Sequence, residues 1–213
     1  MIAATQWTWF LTRATGSVAL LLLSLSAVLG MIVTIGWSSR QLSMLVVNGL
    51  HRNVSLIAVA FIVGHVATTV LDAYVDIGWT SAVVPFAAEY RRFWLGLGAV
   101  AFDLVLALVV TSLLRLRIPH RAWRSIHLGA YGCLPIAVVH ALGTGSDVRS
   151  HLIVWLVGVC GAGLAGTLAW RLSARRVRDP RVATAVIAAA VAVPIVIALW
   201  TIAGPLQPGW GTS

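Results

Sequence analysis

The sequence predicts an all-α protein, a polytopic membrane bundle of six transmembrane helices. Of its 213 residues, 60% are hydrophobic and only 10% are charged, a composition that a soluble domain does not keep in water. Apolar stretches of about 20 residues recur along the chain, which is the length that a helix needs to cross a bilayer. The alternating pattern of a membrane barrel is not visible. Each stretch is therefore predicted as a helix, which satisfies its own backbone in lipid.

Six candidate spans follow one another, each bounded by polar or turn residues. They run from Ala14 to Gly36, Leu45 to Leu71, Phe93 to Leu114, Trp123 to Leu142, His151 to Trp170 and Val182 to Gly204. The first is too long for the core of a signal peptide, so we expect the chain to retain it. Pro205 and Pro208 predict a short irregular tail. We expect residues 1–213 to form one transmembrane domain.

The arginines predict the orientation of these spans. All 15 positively charged residues are arginines. One side of the membrane collects Arg40, Arg115, Arg117, Arg121, Arg124, Arg171, Arg175, Arg176, Arg178 and Arg181, with Arg52 just inside the second span. The other side has Arg13, Arg91, Arg92 and Arg149. Because cytoplasmic loops carry the excess of positive charge, we predict that both termini lie outside a cytoplasmic membrane of bacterial type. The arginines lie in short loops, so nucleic-acid binding is not expected.

The second and fourth spans each contain two histidines, which form two pairs between the spans. His51 and His65 are 14 residues apart and His127 and His140 are 13 apart, which separates the members of each span by about 20 Å along a helix. Both spans run outward in the predicted orientation. His51 and His127, the inner pair, then lie near the inner boundary, and His65 and His140, the outer pair, lie near the outer one. Ionisable residues inside a membrane are costly and mark functional sites.

Paired imidazoles at two depths fit more than one chemistry. Two opposed imidazoles fill both axial positions of a haem iron, and two such haems carry electrons across a bilayer. Histidines also bind transition-metal ions or relay protons in transporters, although Asp103 is the only carboxylate in the middle of a span. A single intramembrane histidine is most simply a packing residue. Four histidines at matched depths favour a functional interpretation.

Helical phase treats the two spans differently. On an ideal helix, 14 residues bring His65 to within about 40° of the face that carries His51. Thirteen residues leave His127 and His140 about 140° apart. Pro135 lies between them, and a proline inside a helix can bend it. A common face for His127 and His140 is therefore possible only if this span departs from ideal geometry.

Other cofactor chemistries lack support in the sequence. Cys133 and Cys160 lie in apolar segments, without the CxxC or CxxCH spacing of a zinc site or of covalent haem attachment. They give no support for a structural disulfide either. The sequence gives no sign of a dinucleotide-binding domain, because its GxGxxG spacing, at residues 161–166, lies inside a predicted membrane span and not between a strand and a helix.

The segments LHRNVSLIAVAFIVGHV and RAWRSIHLGAYGCLPIAVVHALGTG, with an arginine-rich loop between their spans, carry a resemblance. The chain resembles the ferric reductase-like transmembrane domain, whose superfamily includes ferric reductases, the membrane halves of NADPH oxidases and the haem subunit of the periplasmic methionine-sulfoxide reductase system. The resemblance covers residues 12–170. Residues 171–213 add an arginine loop, a sixth span and the tail, where many relatives continue into a flavin and nicotinamide domain.

The resemblance implies two b-type haems, with iron bound by His51 and His127 at the inner level and by His65 and His140 at the outer level. Haem propionates need countercharge, and the candidate partners are Arg52 and Arg124 inside and Arg149, with Arg91 and Arg92, outside. No residue is predicted as an acid or base catalyst.

The expected function is that of a membrane oxidoreductase subunit that transfers electrons outward through the bilayer. The chain more closely resembles stand-alone haem subunits, which take electrons from a separate flavoprotein, free reduced flavin or the quinol pool. The external acceptor could be a ferric chelate, oxygen, a quinone or the cofactor of a partner enzyme. The alternative is a haem-free transporter or assembly factor whose histidines handle a metal ion or protons.

Overall fold

The computed structural model describes residues 2–37, 43–72, 77–145, 148–174, 180–208 and 210. Over these ranges the chain contains helices and turns and no strand. The helices are α1 (Ile2–Ile35), α2 (Met44–Leu71), α3 (Trp79–Val83), α4 (Arg92–Leu113), α5 (His120–His127), α6 (Ala130–Thr144), α7 (His151–Ala174) and α8 (Pro180–Ala203). The predicted all-α class is confirmed.

Four segments are long and apolar enough to cross a membrane. They are Trp7–Ile35 in α1, Met44–Leu71 in α2, Arg92–Leu113 in α4 and His120–Thr144, which joins α5 and α6. In α7 and α8 the apolar stretches within the described residues are shorter, His151–Thr167 and Val191–Ala203. The protein is therefore an integral membrane protein. The count of six spans stays a prediction for the last two.

The first span begins earlier than predicted. The candidate span begins at Trp7 and not at Ala14, and helix α1 begins at Ile2, so Arg13 lies inside a helix and not in a loop. The prediction was wrong because it treated Arg13 as the end of the apolar run. The guanidinium of Arg13 instead stacks over the ring of Trp9, 5.4 Å from its centre, and a long arginine side chain can keep its charge near an interface.

The fourth span is two helices rather than one. Helix α5 ends at His127 and α6 begins at Ala130, with a turn in which the Gly129 N–H donates to the Ile126 carbonyl at 2.8 Å. A Cβ atom on Gly129 would lie 2.9 Å from that carbonyl oxygen. The break therefore comes at this glycine, and Pro135 is accommodated inside α6. The angle of about 140° for one ideal helix does not apply to His127 and His140.

Two compact units divide the described chain. The first comprises residues 1–20 and 59–145, and the second comprises residues 21–58 and 146–213. In the first unit α4 packs along α6 through small and aliphatic residues, which let two helix backbones approach closely. The buried residues are Gly96, Ala99, Ala101 and Val105 on α4 and Cys133, Leu134, Val138, Leu142 and Gly143 on α6.

Arg91 joins the start of α4 to the end of α6. Its Nη1 atom donates to the carbonyl of Gly143 at 3.0 Å and to that of Thr144 at 3.1 Å. These carbonyls belong to the last turn of α6, where a helix leaves its acceptors unsatisfied and carries partial negative charge. Arg91 therefore ties together the two helices that hold the outer histidine of α6.

Replacing Arg91 with alanine should lower the free energy of unfolding by about 2 kcal/mol, because hydrogen bonds that involve a charged group typically contribute about this much. Thermal unfolding of the purified protein in detergent measures the change. Arg121→Ala is the matched control, because Arg121 is exposed on α5, and exposed substitutions usually stay within about 0.5 kcal/mol. Equal unfolding temperatures for the two variants would contradict the role given to Arg91.

Candidate functional site

The outer pair comes together in the first unit. The ring centres of His65, on α2, and His140, on α6, lie 6.3 Å apart, and the ring planes are inclined by 80°. Both side chains are partly buried. Two residues that are distant in sequence thus face each other at close range, as their predicted common depth requires.

Each outer histidine is oriented by a backbone carbonyl. The Nδ1 atom of His65 lies 2.9 Å from the Thr12 carbonyl oxygen, and that of His140 lies 2.8 Å from the Trp94 carbonyl oxygen. A carbonyl can only accept, so Nδ1 carries the proton in both rings. In a neutral imidazole this leaves the lone pair on Nε2, which is the arrangement that metal-binding histidines commonly use.

A glycine stands beside each of these rings. A Cβ atom on Gly16 would lie 2.9 Å from Nδ1 of His65, and one on Gly98 would lie 2.5 Å from Cε1 of His140. Each glycine comes four residues after the one whose carbonyl accepts the hydrogen bond, which is one helical turn. Helix, carbonyl and glycine together form a notch that seats the imidazole.

The second unit repeats this notch at His51. The Nδ1 atom of His51 lies 3.0 Å from the Ser26 carbonyl oxygen, and a Cβ atom on Gly30 would lie 3.2 Å from Cε1 of the ring. Gly30 again follows the carbonyl residue by four positions. The hydroxyl of Ser26 is 2.6 Å from that of Ser55, and Ser55 donates to the His51 carbonyl at 2.6 Å.

Sequence reasoning missed these glycines, although a signal was present. Gly16 and Gly30 are separated by 14 residues on α1, as His51 and His65 are on α2. Two helices that run antiparallel bring equal intervals into register, so the matched spacing could have paired each histidine with its glycine. Recognising the pair required knowing that α1 and α2 are neighbours, which the sequence alone does not state.

His127 is held differently. It is the last residue of α5 and stacks on Trp123, with ring centres 4.8 Å apart and planes inclined by 22°. Trp123 in turn stacks on His120 at 5.5 Å. His127 precedes His140 by 13 residues, and the residue 13 positions after Gly98 on α4 is Thr111. The Thr111 hydroxyl donates to the Ala107 carbonyl at 2.6 Å. At this position α4 therefore has a threonine and not the glycine that lies beside each of the other three histidines.

The predicted arginine partners separate into two groups. Arg52, Arg124 and Arg149 are exposed, so their guanidinium groups are accessible to solvent or to a ligand. Arg91 and Arg92 instead bind backbone, Arg92 through a hydrogen bond of 2.6 Å from Nε to the Phe86 carbonyl. The predictions for Arg40, Arg175, Arg176 and Arg178 lie outside the described residues.

The outer pair fits the axial positions of a haem. An imidazole nitrogen binds a metal ion at about 2 Å, and it stands about 1.1 Å from the centre of its own ring. Rings on opposite sides of one iron therefore have centres about 6.2 Å apart by these distances, against the 6.3 Å between His65 and His140. Among the described residues, no group of three or more His, Cys, Asp and Glu side chains could hold a metal ion.

Comparison with known families identifies the family of the chain. Residues 15–139 match the family described as ferric reductase like transmembrane component. The match covers more than half of the chain, includes His51, His65 and His127, and ends one residue before His140. Searches of curated proteins and of solved structures give no significant match. The chain belongs to the ferric reductase-like transmembrane component family.

Proposed function

We propose that this protein is a di-haem, b-type electron-transfer subunit of a membrane oxidoreductase. The family supports membrane electron transfer in general. The observation that carries the di-haem proposal is the outer pair, whose ring centres lie 6.3 Å apart with both Nδ1 atoms bound to carbonyls. At this level His65 and His140 are the proposed axial ligands.

His51 and His127 are the proposed ligands of the inner haem. The support for them is the matched spacing of the two histidine pairs in the sequence. For His51 there is also the carbonyl of Ser26, which orients the ring as the carbonyls of the outer pair do. Arg52 and Arg124 near the inner histidines, and Arg149 on the predicted outer side, are proposed partners of the propionates.

A bound haem supplies an iron that changes oxidation state by one electron. Backbone carbonyls hold the rings of His51, His65 and His140 in fixed positions, so little rearrangement of these side chains would accompany a change in the charge of the group that they bind. The same hydrogen bonds make these three imidazoles more basic ligands and keep their Nε2 atoms aimed away from the supporting helix. Because histidines of the protein would hold the haem, an external acceptor would receive its electron at the edge of the site and would not need to bind there as a ligand.

The proposed direction of transfer is outward. The arginine asymmetry supports an inner surface on the side of Arg115, Arg117, Arg121 and Arg124. The donor is proposed to be a separate flavoprotein, free reduced flavin or quinol, because the GxGxxG spacing of the chain, at residues 161–166, lies inside α7 and does not follow a strand as a nicotinamide-binding fingerprint does. The acceptor is proposed to meet the outer level.

Absorption spectra of the purified protein test the proposal. After expression with ample haem, reduced-minus-oxidised spectra should contain the sharp bands of low-spin b-type haem, and the haem content should approach about two per chain. A colourless protein that is folded and monodisperse would overturn the proposal. That result would favour the alternative of a haem-free transporter or assembly factor, which binding of divalent metal ions would then test.

A further inference from the structure

Helix α1 carries a cation beside the outer pair. Arg13 follows Thr12, whose carbonyl accepts the hydrogen bond of His65. Arg13 is also three residues before Gly16, and residues three apart are neighbours on one face of a helix. Gly16 is the residue against which the His65 ring packs. The Arg13 side chain is steadied from the other direction by the ring of Trp9, at 5.4 Å.

The charge of Arg13 lies close to the outer pair. The carbonyl of its neighbour Thr12 accepts the hydrogen bond of His65, and the ring centre of His65 lies 6.3 Å from that of His140. The Arg13 side chain is partly buried, so its field is screened less than that of an exposed arginine. A cation placed beside two neutral imidazoles is complementary to a ligand that carries negative charge.

A second donor lies next to this cation. The Thr12 hydroxyl oxygen is buried and has no hydrogen-bond partner among the described residues. Buried hydroxyl groups are nearly always hydrogen-bonded, and one that is not calls for an explanation such as a missing ion or ligand. A carboxylate accepts from a hydroxyl and a guanidinium at once, and hydrogen bonds of this charged kind are the stronger ones.

We propose that Thr12 and Arg13 bind a propionate carboxylate of the outer haem, and that the charge of Arg13 sets the reduction potential at this level. The inference rests on the proposed function. Reduction of a haem adds one negative charge, so a nearby cation stabilises the reduced form. Loss of that cation lowers the reduction potential, and loss of either donor weakens retention of the haem.

Optical redox titration of the full-length holoprotein tests the role of the charge. In Arg13→Gln, one of the two haem transitions should move to a lower potential while the other stays in place. Arg121→Gln is the control, because it removes the same charge from an exposed arginine of α5 that has no proposed role in binding haem. Unchanged potentials in Arg13→Gln, or an equal shift in Arg121→Gln, would overturn the inference.

Two further variants separate charge from folding. Arg13→Lys keeps the charge and should retain both haems at nearly wild-type potentials. Thr12→Val keeps the carbonyl that orients His65 and removes only the hydroxyl, so it should release the outer haem faster without shifting the potential as far as Arg13→Gln does. Equal haem loss in the Lys and Gln variants would rule out the charge as the cause.

Reconstitution with haem dimethyl ester tests the propionate directly. Esterified propionates carry no charge, so the difference in outer-haem retention between wild type and Arg13→Gln should disappear. A difference that persists with the ester would refute the assignment to the propionate while leaving the di-haem function intact. A wild-type protein without any haem would refute the proposed function, and this inference with it.

Discussion

Replacing His140 with alanine is expected to remove the outer haem and with it about half of the haem bound by the wild-type protein, because one of two axial ligands is lost. The remaining spectrum should be that of the inner haem. The haem content per chain and the reduced-minus-oxidised spectrum measure the effect. Added imidazole should restore part of the lost signal, since it supplies the missing ligand to the vacated position.

His151→Ala is the control for this variant. His151 is the first residue of α7 and is exposed, so its removal should leave haem content and spectrum at wild-type values. Full retention of both haems in His140→Ala would contradict the assignment of the outer pair. A loss of haem in His151→Ala as large as that in His140→Ala would also count against it.

Replacing Gly98 with alanine is expected to disturb the same site from the neighbouring helix. The new Cβ atom would lie 2.5 Å from Cε1 of His140, a distance at which the ring or the helix must shift. Overpacking of this kind typically costs about 1–3 kcal/mol. We expect the His140 ring to move out of its notch, so that the outer haem is partly lost or loses its low-spin spectrum.

Alanine substitutions at the three glycines should change the haem spectrum most where the added Cβ atom comes closest to the histidine ring. The added atom would meet the His65 ring at 2.9 Å in Gly16→Ala and the His51 ring at 3.2 Å in Gly30→Ala. The spectral change should therefore be largest for Gly98, smaller for Gly16 and smallest for Gly30. Gly132→Ala is the control, because nothing lies within 4 Å of a Cβ atom there. Identical spectra for Gly98→Ala and Gly132→Ala would refute the notch.

The sequence predicted the spans well where apolar runs had clear polar limits. Leu45 to Leu71 was predicted for the second span and α2 covers Met44–Leu71. Phe93 to Leu114 was predicted for the third and α4 covers Arg92–Leu113. Hydropathy decides such helices because the bilayer is their solvent. The short α3 was missed, since its five residues have neither the length nor the pattern of a span.

Hydropathy predicted the helix ends wrongly at two places where local contacts matter. The turn before Ala130 depends on one close approach, between Gly129 and the Ile126 carbonyl, which no periodicity reveals. Helix α1 continues through Arg13, whose guanidinium stacks over Trp9, whereas hydropathy counts a charged residue as the end of an apolar run. Hydropathy averages over both features and therefore misplaces the ends of these helices.

For the candidate site, the sequence predicted the histidines but not the residues that orient their rings. His65 and His140 stand out in the sequence because an ionisable side chain inside a membrane has a high free-energy cost. Their supports are the carbonyls of Thr12 and Trp94 and the glycines one turn further along. Every residue has a carbonyl, and small residues are common in membrane helices, so only the packing of the helices distinguishes these particular ones.

The electron paramagnetic resonance spectrum of the oxidised protein distinguishes directly whether His65 and His140 are the two axial ligands of one haem. Their planes are inclined by 80°, and nearly perpendicular imidazoles leave the two iron d orbitals that they contact close in energy. We predict a strongly anisotropic low-spin ferric signal that disappears in His140→Ala. A wild-type spectrum with only high-spin iron, or with only the rhombic low-spin signal of parallel rings, would contradict the account.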